Sequence, residues 1–344
     1  MESASTSANK IRIDDEENLE RMGVEKINDN LYDLCAASCG EDQENAVVIF
    51  FHGLELDDRA SSEDTWLRTW TFRDDPKTCW PPQMFSTDKF LTAAKFKNNI
   101  VVRAYAAKYD ASVKMTGTAG RLDLYLFAES LLQSVIGQVM RRTKEQFPIF
   151  LVAHSYGGIV VQELIKHAFK EARNGRPDPQ IKKFLQCLAG IFFYAVPHGS
   201  LVEETYNSIF RKGREPLAEA AEMLSQFNKD LSRSRDEFKK NINAIQGHTK
   251  EPNGMRIGAE IRIRTAFEVY ETNLGHWKGK IVEEAAVDAG VGAERVNIEA
   301  DHFEICKPKS GPAGFTENRY CFLQEMIVDV VKEERSRVRN TKQQ

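Results

Sequence analysis

The chain has 344 residues, 42% hydrophobic and 28% charged, with 47 basic against 51 acidic side chains and a formal net charge of -4. That is the composition of a globular domain rather than a disordered chain. The near balance of charge gives no reason to expect nucleic acid as the main partner, and no stretch approaches the roughly 18 consecutive apolar residues of a spanning helix. Six cysteines are scattered along the chain; Cys35 and Cys39 are four apart, but no second Cys/His pair completes a zinc site. Reduced thiols in a cytoplasmic, intracellular setting are the expectation, and the polar, acidic start reads as neither a secretion signal nor a transit peptide.

In chain order, residues 1–20 and 339–344 read as charged, aperiodic tails around a single domain over 21–338. Apolar runs of strand length recur within it: Val47 to Phe51, Ile100 to Tyr105, Ile149 to Ala153, Ile191 to Val196, Ile261 to Tyr270 and Arg295 to Ala300. Such nearly continuous runs suit strands covered on both faces. Between them lie helical patterns, with Leu122, Leu126, Leu131, Val135 and Val139 on one stripe and Ile159, Val160, Leu164 and Ile165 on another. Strand alternating with helix predicts an α/β fold with a mostly parallel central sheet flanked by helices. A long connection, about 201–255, carries two further stripes (Leu217, Ala221, Leu224, Phe227, Leu231, then Phe238, Ile242, Ile245) and is expected to be a helical cap over a pocket, with extra helices on the sheet edge as the alternative.

The chemistry centres on Ile149-Phe150-Leu151-Val152-Ala153-His154-Ser155-Tyr156-Gly157-Gly158, a strand, a small-x-Ser-x-Gly turn, then a helix. A strand-to-helix turn this sharp needs small residues two before and two after the serine, and it lifts the hydroxyl above the sheet as a nucleophile. The backbone N–H of Tyr156, at the positive end of the helix, suits one half of an oxyanion hole. Phe51-His52-Gly53-Leu54 suits the other half, Gly53 allowing close approach and Leu54 (or Gly53) offering its N–H.

Serine needs a base near neutrality, which means histidine. His302 follows the last expected strand and is the candidate; His52 and His154 read as structural, His198 sits in a turn, His167 in a helix, and His248 and His276 in polar stretches. The carboxylate that orients the imidazole should close the strand before the histidine. Glu271 does so on this reading and Asp288 is its rival. Glu268 falls inside the expected strand, and Asp301 adjoins the histidine but should point elsewhere. Trp66, Trp70, Phe72, Trp80, Phe85, Phe210, Leu217, Leu224 and Phe227 would line an acyl pocket or form ordinary core.

The ordered series His52-Gly53-Leu54, Thr65-Trp66, Cys79-Trp80-Pro81, Ala153 to Gly158, Ala195-Val196-Pro197-His198-Gly199-Ser200, Tyr270-Glu271-Thr272 and Ala300 to Lys307 resembles the serine-active-site-containing branch of the α/β-hydrolases, kin to lipases and glycosylphosphatidylinositol inositol-deacylases. The resemblance covers roughly residues 45–310. It implies an α/β-hydrolase fold with a cap, a triad of Ser155, Glu271 and His302, and acyl-enzyme chemistry on a carboxylic ester, small-molecule or lipid, with neither metal nor organic cofactor. Two departures stand out: Ala153 replaces the more usual glycine, and Glu55-Leu56-Asp57-Asp58-Arg59 follows Leu54 in place of a glycine-rich loop. Members of the branch are linked with phospholipid remodelling at mitochondrial or endoplasmic-reticulum membranes, which leaves peripheral membrane contact open. A ligand-binding or scaffolding protein on the same fold is the competing reading.

Overall fold

Alternation within the apolar runs decides the architecture. In the computed structural model, which describes residues 14–35, 46–54, 64–85, 100–111, 124–141, 147–211, 220–247, 260–308 and 318–342, the strands are β1 (Glu25–Asn28), β2 (Leu31–Asp33), β3 (Ala46–Phe51), β4 (Val102–Ala107), β5 (Ile149–His154), β6 (Leu188–Tyr194), β7 (Arg262–Glu268), β8 (Thr272–Asn273), β9 (Lys278–Gly279) and β10 (Glu294–Ile298). Eight form one sheet in the order β1-β2-β4-β3-β5-β6-β7-β10, and β8 and β9 make a separate two-stranded ribbon. From β4 to β10 every pairing in the large sheet is parallel; β2 runs antiparallel to β4, and β1 to β2.

The central strands are buried on both faces, and successive residues supply two different cores. Val47, Ile49, Phe51, Ile149, Leu151 and Ala153 face one; Val48, Phe50, Phe150 and Val152 face the other. The helices are α1 (Glu16–Met22), α2 (Thr65–Arg68), α3 (Trp80–Phe85), α4 (Leu124–Ser134, continued by a π-helical turn over Val135–Met140), α5 (Gly157–Ala172), α6 (Pro179–Cys187), α7 (Glu203–Arg211), α8 (Ala220–Gly247) and α9 (Asn318–Lys342). Helices α4, α5, α6 and α8 supply residues to the first core, and α2, α3 and α9 to the second, so the sheet is sandwiched between helical layers.

The β1–β2 hairpin escapes a periodicity search because it is short and its buried end carries a charge. Asp33 is tied to Arg103 at 2.6 Å and accepts the Cys35 N–H at 2.9 Å. The two helical stripes expected over 217–245 fall, from Ala220 on, in one continuous helix, α8. Leu231, Phe238, Ile242 and Ile245 pack into the sheet core, so this stretch of α8 is a layer on the sheet. The start of α8 and α7 meet near the serine turn, where Phe227 stacks at 6.4 Å on Tyr156 and meets Tyr206 at 5.5 Å.

At the ends, α1 begins at Asp15, whose carboxylate accepts the Asn18 N–H, and residues 1–13 of the expected tail lie outside the described residues. The C-terminal helix stays helical through Lys342, three residues past the start of the tail expected at 339; its Lys, Glu and Arg residues are good helix formers. Cys35, Cys79, Cys187, Cys306 and Cys321 are free thiols. Among the described residues no helix is long and apolar enough to cross a membrane.

Candidate active site

β5 enters the turn as a fully buried strand and leaves it as α5, and the reversal is made at Ser155 with φ 52°. A left-handed backbone at a residue with a Cβ costs on the order of 1–2 kcal/mol, so the surroundings must impose it. They do so through packing that only glycine permits. A Cβ on Gly157 would lie 2.4 Å from the carbonyl oxygen of His52, and one on Gly158 would lie 2.3 Å from Val196 Cγ1. The Ser155 N–H donates to Tyr194 O at 2.8 Å, carrying the β5–β6 ladder one residue past the strand. The turn is thus pressed between the end of β6 and the chain leaving β3.

That chain is the expected second oxyanion segment. A Cβ on Gly53 would be 2.9 Å from Ser155 Cβ, so the loop lies directly against the serine. His52 shapes it: Nδ1–H donates to Gly53 O at 3.0 Å, Nε2 accepts the Tyr109 N–H at 3.4 Å, the rings stack at 3.9 Å, and the Tyr109 hydroxyl donates to His52 O. Burial holds its imidazole neutral, pushing the pKa down to about 4. Leu54 is half-buried against the same core, while Glu55 to Arg59 lie outside the described residues.

Across the sheet edge, β10 ends at Ile298 and the chain turns at Ala300 into His302. His302 is fully buried with Nε2 2.9 Å from Ser155 Oγ, across 147 residues of sequence. Its Nδ1 lies 3.3 Å from Glu268 Oε2 as an ion-pair contact, and neither atom has a hydrogen-bond partner among the described residues. Glu268 is 1% exposed, and its other oxygen accepts the Val282 N–H at 2.6 Å. A carboxylate this deep needs stabilising at both oxygens; the Val282 N–H serves Oε1, and the group set beside Oε2 is the His302 imidazole. Ser155 Oγ, the His302 ring and Glu268 thus lie in line as a candidate relay.

Glu271 does not take part. Its side chain is more than half exposed and pairs with Lys278 at 3.2 Å across the β8–β9 ribbon. The sequence extends the apolar run to Tyr270, but β7 stops at Glu268, level with Ile298 of β10. Beyond it the N–H groups of Val269 and Tyr270 both donate to Ala300 O, bending the chain round the end of β10 and carrying Glu271 out to solvent. Glu268 is consequently the last residue of its strand rather than an interior one. The signal was present in the sequence: a lone carboxylate between Phe267 and Val269 in an apolar run has to find a partner. The rival Asp288 is exposed and caps the Gly290 N–H at 2.8 Å; Asp301 accepts the N–H groups of Phe303 and Glu304 at the turn.

Among the described residues, the other histidines near the site have structural partners. His154 donates from Nε2 to His302 O at 2.8 Å. His198 is buried, its pKa lowered to about 3 by desolvation, and its Nδ1 meets the Gln162 amide at 2.5 Å; Gln162 in turn accepts from Ser234, joining α5 to α8. His276 reaches Ser208 O at 3.2 Å. His248 lies outside the described residues. Of the apolar candidates, Trp66, Trp70, Trp80 and Phe85 are core residues packed with Phe50 and Tyr320, Phe72 and Leu224 are half-buried, and Leu217 lies outside the described residues, as does the side chain of Phe210.

No family model matches the sequence. The chain is similar to Protein SERAC1 of Danio rerio, 25% identical over 330 residues that cover 90% of this chain and 44% of the relative, and to Protein SERAC1 of Homo sapiens, 24% identical over 320 residues with 90% and 43% covered. It spans less than half the length of these curated relatives. Among solved structures it is similar to phospholipase PlaB from Legionella pneumophila (TM-score 0.49, 11% identity, 84% of this chain and 63% of that one) and to the lipase BlEst2 from Bacillus licheniformis (TM-score 0.42, 14% identity, 87% and 99%). Its own strand order, helical layers and the serine turn at the end of β5 supply the architecture, and on those grounds the chain has the α/β-hydrolase fold.

Proposed function

We propose that the protein is a serine hydrolase of the esterase or lipase type, working through an acyl-enzyme on Ser155. The observation that carries the reading is the relay itself, Ser155 Oγ to His302 Nε2 at 2.9 Å and His302 Nδ1 to Glu268 Oε2 at 3.3 Å. In this reading Ser155 Oγ attacks the acyl carbonyl as its proton passes to His302 Nε2, and Glu268 stabilises the imidazolium and keeps the neutral ring in the Nδ1–H tautomer. The N–H groups of Tyr156 and Leu54 hold the oxyanion. His302 then gives the proton to the departing alkoxide, and water, deprotonated by the same imidazole, releases the acid and regenerates Ser155. Every proton step uses side chains of the chain itself. A carboxylic ester is the proposed substrate class, lipid esters included, because an activated serine hydroxyl attacks an acyl carbonyl.

A fluorophosphonate probe tests the reading on purified protein. Labelling of the wild type that is lost in Ser155→Ala and sharply slowed in Glu268→Gln supports it. A wild type that stays unlabelled, or labels equally without Ser155, overturns it in favour of a binding protein on a hydrolase fold.

A further inference from the structure

His302 lies in the turn after β10, outside any strand or helix. Its N–H donates to Thr272 Oγ1 at 2.9 Å, and its carbonyl accepts from His154 Nε2 at 2.8 Å. Both partners are side chains, and each comes from beside another member of the relay. His154 is the residue before Ser155, and Thr272 begins the ribbon four residues beyond Glu268. Thr272 and His302 are fully buried and His154 is 6% exposed, so water does not substitute for either contact. A carbonyl only accepts, so the proton of His154 must sit on Nε2, leaving Nδ1 as a bare acceptor; it has no partner among the described residues and lies 3.1 Å from where a Cβ on Gly53 would be. Burial and the neighbouring His302 hold the ring neutral, well below the usual histidine range.

We infer that His154 and Thr272 are positioning residues that aim the His302 imidazole by clamping its backbone from the nucleophile side and the acid side. The inference rests on the hydrolase reading above. Its physical content is that the reach from His302 to Ser155 and Glu268 is fixed from the two elements that carry those residues, so the three groups shift together rather than apart. Displacing a catalytic group by about 1 Å costs on the order of 10²-fold in rate, and the clamp is what prevents it. The same two contacts would satisfy the buried N–H and C=O whether or not His302 acts as a base, so the test must separate aim from stability.

The experiment measures the fluorophosphonate labelling rate of Ser155, ester kcat and KM, and thermal melting for His154→Leu, His154→Gln, Thr272→Val and Thr272→Ser, each also in a His302→Ala background. Gln places an amide N–H near the Nε2 position and Ser keeps the hydroxyl, so each restores the contact its partner variant removes. The expected result is a fall of about 10- to 100-fold in labelling rate and kcat for the Leu and Val variants with KM unchanged. Recovery to within a few-fold is expected for Gln and Ser, and no further effect once His302 is gone. Equal slowing in the His302→Ala background, wild-type rates in the Leu and Val variants, or failure of folded Gln and Ser variants to recover would overturn the inference while leaving the hydrolase reading intact. If His154→Leu does not fold, the Thr272 pair decides. A wild type that does not label at all overturns the hydrolase reading, and the inference falls with it.

Discussion

The two sides of the site are built by different means. On the serine side everything that matters is local or one strand away. Ser155 sits in a left-handed turn between β5 and α5, with Gly157 against the chain leaving β3 and Gly158 against Val196. The residue types are dictated by contacts of 3 Å and less that no Cβ could share. On the histidine side there is no such packed turn. His302 and Glu268 meet because β7 and β10 end level, because the chain bends at Ala300, and because Thr272 and Val282 from the ribbon and the loop behind it take up polar groups of both. One side is a rigid piece of sequence; the other is assembled from parts spread over Glu268 to His302. The comparison says where substitutions should stop chemistry alone and where they should also loosen the fold.

The largest effect is expected from Ser155→Ala, which should cut ester turnover by about 10⁶-fold with the melting temperature little changed, measured by turnover and calorimetry on the same sample. Retained turnover would leave the serine side without a chemical role. Next, Glu268→Gln should lower kcat by about 10⁴-fold, since the amide leaves the imidazole in the wrong tautomer, whereas Glu271→Gln should stay within two-fold because that carboxylate is solvated beside Lys278. Equal losses in the two variants would mean that the ribbon, not the strand end, supplies the acid.

Acid should loosen the serine side. His52 and His198 are buried and neutral, with pKa values lowered to about 4 and about 3, while in the unfolded chain they titrate near ~6.5. Below that value the unfolded state binds protons that the native state refuses, so stability falls as pH drops from ~6.5 toward 4; the loss is on the order of a few kcal/mol for each of the two imidazoles. Thermal melts between pH 7 and 4.5 read this directly, and a flat profile would place these rings in contact with solvent.

The smallest effect sharpens the packing half of the comparison. Gly158→Ala should destabilise by about 1–3 kcal/mol through its collision with Val196, and Val196→Ala in the same chain should recover part of the loss. Additive losses in the double variant would show that the two side chains do not compete for the same space.

Much of the serine side was legible before any coordinates. The strand, the small residues around Ser155 and the helix after it follow from nearest-neighbour sterics, and these are written in consecutive residues. His302 was legible for a related reason, since it follows the last apolar run. Glu268 reads as an interior strand residue because the apolar run carries on to Tyr270, which the structure leaves half exposed. A parallel strand ends where its neighbour leaves the regular register, and that neighbour, β10, lies some thirty residues further along the chain. The β1–β2 hairpin and the fusion of two expected helices into α8 were missed on the same account: short strands and long surface helices take their extent from what they pack on.

By itself, then, the amino-acid sequence determined the alternating strands and helices, the strained serine turn and the histidine that answers it, since each depends on side-chain sizes and periods within a few positions. Only the tertiary structure decided which carboxylate faces His302 and which side chains hold its backbone. Those choices depend on where two non-adjacent strands come level and how buried donors and acceptors pair across the sheet edge, a matching that distance in space controls and distance along the chain does not.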